Sequence, residues 1–257
     1  TITHPSVTGI RARAMDGDVS ITNSTVVADP MTNTLADAES WEIALADIGV
    51  GIYATAQSTV SIDNVVVSGF NHGGIYIGRG GSDDVIASLT NIDIANVGWQ
   101  GVYGSQVDAT LTDVSVTGLR VSAAIGSSLC STVGDYGGGT FRNAVVDWQG
   151  GGVSSGGGIG IGGIQSTMTL SGIAISGNAC AGVMNFDGSL TVDDSDFSSP
   201  SPHDLGASVV SYNASDSSVT NSRFSESDEI SAYDSAESGG YTYVYYARAG
   251  ADVQAWN

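Results

Sequence analysis

Thr59-Val60-Ser61-Ile62-Asp63-Asn64-Val65-Val66-Val67 contains the pattern from which the fold of this chain can be predicted. Apolar and polar residues alternate, an Asn interrupts the alternation, and the alternation then restarts. Alternation with a period of two predicts strands with one buried face. Asn and Asp tolerate left-handed backbone dihedrals and bond to nearby backbone groups, so this Asn predicts a sharp turn between two strands.

The same pattern recurs along the chain and indicates a repeat protein. The interrupting residues, called pivots below, are spaced by 22 to 41 residues and are Asn23, Asn64, Asn91, Asp113, Asn143, Gly172, Asp194 and Asn221. Stacked strands lie about 4.8 Å apart. We therefore expect the pivot side chains to hydrogen-bond to one another inside the wall, which would satisfy amides that are otherwise buried without partners.

With these repeats the chain resembles the right-handed parallel β-helix of the pectin-lyase-like superfamily, from about Val7 to Phe224. The coils of that family carry three short strands and an internal asparagine ladder at the second turn. The resemblance implies an all-β, single-domain β-solenoid over residues 1–257, with about eight coils and an internal Asn/Asp ladder. Lyases, hydrolases, epimerases, adhesins and phage tailspikes share this fold, so the resemblance names no activity.

Three segments depart from the regular repeat. Residues 1–9 look like the end of a coil whose beginning is absent, and the chain starts with Thr1, which predicts a fragment of a longer protein. Residues 28–48 are predicted as an insertion. An open solenoid end exposes core and unpaired backbone, so residues 227–257 are predicted as a C-terminal cap or extension.

Composition limits the possible partners. The formal net charge is −20, and all seven cationic side chains are Arg. Such a surface repels nucleic acid, and the sequence has no apolar run long enough to insert into a membrane. We predict an extracellular or cell-surface bacterial protein. The acidity is compatible with Ca²⁺ binding or with a plain solvated surface, and no other cofactor is expected.

The first strand of each predicted coil begins with a similar short sequence. This similarity predicts a column of core residues and, beside it, a column of residues that point outward. The starts are Gly51-Ile52-Tyr53, Gly74-Ile75-Tyr76, Gly101-Val102-Tyr103, Ala124-Ile125-Gly126, Gly158-Ile159-Gly160, Gly182-Val183-Met184 and Ser208-Val209-Val210. Tyr53, Tyr76 and Tyr103 would form an outward aromatic strip, with Trp99 in the preceding turn. Sugar rings pack on such strips, but a column of tyrosines can equally stabilise a sheet by contacts between strands.

Residues suited to catalysis are sparse. The outward first-strand positions hold no pair of carboxylates and the chain has no Lys, which counts against the lyase and hydrolase chemistries that the resemblance implies. His72, with Tyr76 and Arg79 nearby, could form an acid/base cluster. The stretch from Ser201 to Asp204 is similar to the Asp-Pro-His-Asp stretch of mannuronan C5-epimerases, which would imply catalytic roles for His203 and Asp204.

Acidic clusters and two cysteines complete the candidate sites. Oxygen ligands suited to Ca²⁺ are dense at Asp83-Asp84 and at Asp193 and Asp196. Cys130 and Cys180 are predicted to lie nearly 10 Å apart by strand spacing. A disulfide needs Cα atoms within about 7 Å, so it would form only if the loop that carries Cys130 folds across one coil.

Three functional hypotheses follow from these features. The leading one is a rigid structural or adhesive module of the cell surface that binds carbohydrate through its tyrosines. The second is a polysaccharide-active enzyme, either a lyase or an epimerase. The third is a filament subunit that associates with itself through the ends of the helix.

Overall fold

The described part of the chain consists of β-strands alone. The computed structural model describes residues 1–3, 8–28, 49–70, 73–81, 84–97, 100–118, 159–176, 181–186, 188–198, 207–212, 216–225, 233–238, 241–246 and 253–256. The fold class is therefore all-β, as predicted. No helix in these ranges is long and apolar enough to cross a membrane.

The larger sheet, sheet 1, has eleven strands. Its main path is β1 (Ile2–Thr3), β3 (Val19–Val27), β5 (Thr59–Ser68), β7 (Val85–Ala95), β9 (Val107–Thr117), β11 (Thr167–Ser171), β14 (Ser189–Asp193) and β17 (Asp216–Thr220). Three shorter strands continue it beyond the pivots: β12 (Ala174–Ser176), β15 (Asp196–Ser198) and β18 (Arg223–Ser225). Neighbouring strands of sheet 1 run parallel.

The second sheet, sheet 2, has eight strands, which are also parallel. In order they are β2 (Thr8–Arg13), β4 (Val50–Ala56), β6 (Gly73–Arg79), β8 (Gln100–Ser105), β10 (Ile159–Ile164), β13 (Ala181–Phe186), β16 (Ala207–Tyr212) and β21 (Val253–Trp256). A separate antiparallel hairpin joins β19 (Tyr233–Ser238) to β20 (Tyr241–Tyr246).

The chain passes repeatedly from one sheet to the other. Strand β4 lies in sheet 2, β5 in sheet 1 and β6 in sheet 2 again, so two parallel neighbours are always connected through a strand of the opposite sheet. One apolar core is shared by both sheets, as Ile52 of β4 and Ile62 of β5 illustrate. Burying such a side chain stabilises the fold by about 1.5–3 kcal/mol.

The predicted turn at the pivots is confirmed in its backbone conformation. Among the described residues every pivot has a positive φ: Asn23 49°, Asn64 53°, Asn91 54°, Asp113 55°, Gly172 64°, Asp194 46° and Asn221 49°. In β5 the buried residues are Val60, Ile62, Val65 and Val67, so the alternation restarts after the pivot as expected. The left-handed residue lets a single strand bend without leaving the sheet.

The prediction that the pivot ladder is internal is wrong, because these side chains are exposed. The left-handed residue interrupts the alternation, so that Asp63 and Asn64 both lie outside the core, between buried Ile62 and buried Val65. The hydrogen bonds run along the outer surface, and only some join pivot to pivot. Asn64 Nδ2 donates to Asn23 Oδ1 at 2.6 Å, whereas Asn91 Nδ2 donates to Asp63 Oδ1 at 3.3 Å.

One predicted coil lies outside the described residues. Strand β8 pairs directly with β10, and β9 pairs directly with β11. The strand start predicted at Ala124–Gly126 and the pivot predicted at Asn143 both fall in residues 119–158, which the described part of the chain does not include. The predicted insertion at 28–48 also lies outside it, apart from Ala28.

The predicted register of β10 is wrong by two residues. Val102 pairs with Ile161 and not with Ile159. The run Gly158-Ile159-Gly160-Ile161-Gly162 repeats with a period of two, and a slip of two residues leaves the buried face unchanged. In the observed register a Cβ at Gly160 would lie 2.6 Å from the carbonyl oxygen of Gly182, so this position requires Gly, and the slipped register would also place a Gly there.

The C-terminal region adds one strand to sheet 2. Strand β21 pairs in parallel with β16, and the hairpin of β19 and β20 precedes it. Tyr241–Tyr246 forms the second strand of that hairpin. That residues 227–257 cap the core stays a prediction.

Candidate functional site

The predicted tyrosine column is present on the outer face of sheet 2. Tyr53 pairs in register with Tyr76, and Tyr76 with Tyr103. The preceding residue of each strand, such as Ile52, is buried in the core. Because successive side chains of a strand point to opposite faces, the three tyrosines point away from the core.

The tyrosine rings stack on one another. The centroids of Tyr53 and Tyr76 are 4.7 Å apart with 11° between the ring planes, and those of Tyr76 and Tyr103 are 5.7 Å apart with 20° between planes. Each such pair contributes about 0.5–1.5 kcal/mol beyond area burial. The ring faces therefore cover one another, and the ring edges and hydroxyl groups remain as the contact surface.

Arg11 extends the stack beyond Tyr53. Its guanidinium carbon lies 5.6 Å from the centroid of the Tyr53 ring, which is within range of a cation–π interaction. Strand β2 places it there, because Arg11 pairs in register with Tyr53. The sequence analysis did not identify this contact, because the contact depends on the register between β2 and β4.

Burial increases along the column. Tyr53 and Tyr76 are half-buried, whereas Tyr103 is 2% exposed although it is not part of the core cluster. Tyr103 was predicted as part of an open strip, and its burial removes it from that strip. We define the tyrosine face as Arg11, Tyr53 and Tyr76.

The hydroxyl groups of Tyr76 and Tyr103 are protonated at neutral pH. Burial and, as a second cause, the neighbouring Tyr53 raise the pKa of Tyr76 to about 12, and a hydrogen bond with Ser105 opposes this shift. Burial also raises the pKa of Tyr103, with Tyr76 as a second cause. Tyr76 can exchange hydrogen bonds with a ligand, but it is a poor base at neutral pH.

A column of small residues lies beside the tyrosines. Thr55, Gly78 and Ser105 pair in register two residues further along their strands. A Cβ at Gly78 would lie 2.7 Å from the Tyr76 hydroxyl oxygen, so the absence of a side chain there makes room for the ring. Thr55 is 5% exposed, and among the described residues its Oγ1 finds no hydrogen-bond partner. The sequence analysis overlooked this column.

The other predicted catalytic residues are not assembled into a site by the described residues. Arg79 is exposed at the end of β6, three residues beyond Tyr76. His72, Trp99, His203 and Asp204 lie outside the described part of the chain. The two acid/base hypotheses therefore stay predictions.

Two of the predicted metal ligands are engaged by protein groups. Asp193 Oδ1 accepts hydrogen bonds from Thr220 Oγ1 at 2.7 Å and from Asn221 Nδ2 at 2.8 Å, and Asp196 forms an ion pair with Arg223. The hydrogen bonds from Thr220 and Asn221 lower the pKa of Asp193, and Arg223 lowers that of Asp196. Both carboxylates are therefore satisfied by neighbouring side chains.

The remaining metal and cysteine predictions are only partly covered by the structure. Asp84 is exposed, whereas Asp83, Cys130 and Cys180 lie outside the described residues. In the described ranges no three His, Cys, Asp or Glu side chains come together as metal ligands.

Comparison with known proteins assigns no family to this chain. No family model, no curated protein and no solved structure matches it. The function of the tyrosine face has to be inferred from its own geometry and charge.

Proposed function

We propose that the chain is a right-handed parallel β-solenoid that acts as a rigid adhesive module at a bacterial cell surface and binds carbohydrate through its tyrosine face. Two parallel sheets between which the chain passes repeatedly, with one core shared by both, support the solenoid. The right-handed sense follows the strong preference of parallel crossover connections.

One observation carries the proposal of carbohydrate binding. Arg11, Tyr53 and Tyr76 form a continuous stack in which Arg11 is exposed and the two tyrosines are half-buried. A sugar would contact this stack from the side, because the ring faces are already covered. The apolar ring edges would pack against the sugar ring, and the hydroxyl and guanidinium groups would bond to its oxygens.

The local charge also favours a ligand rich in oxygen atoms. Arg11 and Arg13 are both exposed on β2, in a chain with seven cationic side chains and a net charge of −20. Within the described residues neither guanidinium forms an ion pair with a carboxylate. Their donors can therefore bond to sugar hydroxyl or carboxylate groups.

A glycan array with matched variants tests this proposal. Tyr53→Ala removes the ring between Arg11 and Tyr76, and we expect it to weaken glycan binding about tenfold or more, as truncation of an aromatic anchor does. The control is Asp93→Ala, which changes an exposed residue of sheet 1 and leaves the tyrosine face intact.

The outcomes separate adhesion from catalysis. Binding that is lost in Tyr53→Ala and kept in Asp93→Ala supports the proposal. A wild-type protein that binds no glycan, or binding that survives Tyr53→Ala, contradicts it. Appearance of unsaturated or epimerised products from a bound polysaccharide would replace the adhesive module with an enzyme.

A further inference from the structure

A second ordered surface lies on the outer face of sheet 1. One register column across seven strands holds only hydroxyl residues, each of them exposed: Ser20, Ser61, Ser88, Thr110, Thr169, Thr191 and Ser218. The chain supplies a hydroxyl at every described position of this column, on strands separated by up to 59 residues of sequence. We call it the first hydroxyl column.

A parallel column lies two residues further along the same strands. It holds Thr22, Asp63, Thr90, Thr112, Ser171, Asp193 and Thr220. Five of these seven residues carry hydroxyl groups and two carry carboxylates. Together the two columns form a two-dimensional array of short oxygen-bearing side chains, which we call the hydroxyl face.

The strand geometry fixes both repeats of the hydroxyl face. Neighbouring strands lie about 4.8 Å apart, and residues two apart on a parallel strand lie roughly 6.6 Å apart. These distances are close to the two repeats of water oxygens on a prism face of hexagonal ice. Each hydroxyl can donate one hydrogen bond and accept two, so it can supply all but one of the four hydrogen bonds that a lattice water makes.

Ladders of like side chains also favour a flatter sheet 1. Neighbouring strands of ordinary twisted sheets are rotated by about 20–25°, and ladders of like side chains oppose that twist. Sheet 1 carries the first hydroxyl column on its outer face and a stacked Phe197–Phe224 pair with ring centroids 5.3 Å apart. A reduced twist would keep the hydroxyl array in step with a flat lattice over many strands.

The chemistry of the hydroxyl face indicates which kind of periodic ligand surface it would bind. It carries two carboxylates and no cationic side chain, although the chain as a whole has a net charge of −20. An ionic mineral would require dense charge. A single sugar chain would be expected to pack on aromatic side chains, which neither column contains. We propose that the hydroxyl face binds ice, with the lattice water of the ice surface bonded to the two columns.

Paired substitutions on one strand test this inference independently of the tyrosine face. Ser88→Tyr places a large ring in the first hydroxyl column, whereas Asp93→Tyr places the same ring on β7 beyond the pivot Asn91 and outside the array. Ice-affinity partitioning and thermal hysteresis are measured for both variants and for the wild type. Far-ultraviolet circular dichroism shows whether each variant is folded.

We expect the wild type to partition into ice and to shape ice crystals, Ser88→Tyr to lose most of both activities, and Asp93→Tyr to keep them. If Ser88→Tyr does not fold, Thr110→Val tests a second position of the first hydroxyl column. It removes a hydroxyl group but keeps the side-chain shape and the strand preference, and we expect it to reduce both activities. Absence of ice binding in the wild type overturns the inference. Equal activity or equal loss in the folded variants on and off the array also overturns it.

Discussion

The outer faces of the two sheets share one strand repeat but carry different columns. On sheet 2 the tyrosines stack and become half-buried to fully buried, although they point away from the core. On sheet 1 the hydroxyl residues of the first column stay exposed at every described position. Stacked parallel strands place like side chains side by side. Large rings then cover one another and become part of the structure, whereas short hydroxyl side chains remain open to solvent.

The largest expected difference between the two faces is in the cost of truncation. We expect Tyr103→Ala to lower the free energy of unfolding by about 3 kcal/mol, because it empties a buried site of aromatic size. Thr110→Ala, on the exposed hydroxyl column, should change it by no more than about 0.5 kcal/mol. Urea denaturation of both variants measures the difference. If the two variants lose a similar free energy of unfolding, the two faces do not differ in their contribution to stability.

The bend at the pivots is the feature of sheet 1 that should tolerate change least well. We expect Asn64→Val to cost about 1–2 kcal/mol, because a β-branched residue is strained at a φ of 53°. Asn64→Gly serves as the control, since Gly adopts this conformation without a steric penalty. Thermal unfolding of the two variants compares them. A Val variant as stable as the Gly variant would show that the left-handed bend is not required.

Alkaline pH should destabilise the protein through sheet 2. The pKa of Tyr76 is raised from 10.0 to about 12 in the folded state, so folding favours the protonated phenol. That stabilisation is complete below the unfolded pKa and is lost as the pH rises from about 10 to about 12. We expect the loss of stability over this range to be smaller in Tyr76→Phe. Unfolding temperatures at successive pH values test this, and identical profiles would contradict it.

Acidic pH should have the smallest effect, through sheet 1. The pKa values of Asp193 and Asp196 are lowered in the folded state, so the two carboxylates stabilise the fold at pH values above their unfolded pKa of 3.8. This stabilisation is lost as the pH falls through their folded pKa values. Both groups are exposed, so the effect is small and is screened by salt. Arg223→Gln should weaken the acid dependence slightly at low salt. An effect of Arg223→Gln that is large or insensitive to salt would contradict this view.

The sequence predicted the local pattern better than the arrangement of the strands. Alternation around Asn64 gave the buried positions of β5, and the residue type of the pivots gave their backbone conformation. The sequence analysis missed the side of the sheet on which the pivot side chains lie. Strict alternation with a period of two does not provide for two outward residues in succession. The slip of two residues at Ile159 escaped detection for a related reason, since it preserves the buried face.

The tyrosine face was predictable as a column but not as a surface. The repeated Gly-Ile-Tyr start placed Tyr53 and Tyr76 side by side. The contact of Arg11 with Tyr53 depends on pairing between strands that are distant in sequence, and the burial of Tyr103 depends on its three-dimensional surroundings. Neither follows from alternation along one strand.

A cross-linking measurement tests most directly the order of strands on which the hydroxyl face depends. Thr110 and Thr169 are paired neighbours on β9 and β11 although residues 119–158 lie between them in sequence. In a background of Cys130→Ser and Cys180→Ser, the double variant Thr110→Cys/Thr169→Cys should form an intramolecular disulfide under mild oxidation, detected by peptide mass mapping. Neighbouring strands lie about 4.8 Å apart, within the reach of a disulfide.

The double variant Ser88→Cys/Thr110→Cys, across β7 and β9, is the positive control. We expect both pairs to cross-link with similar yield. If the control pair links and the pair at 110 and 169 does not, another strand separates β9 from β11, and neither the hydroxyl face nor the order of strands in the two sheets is as described.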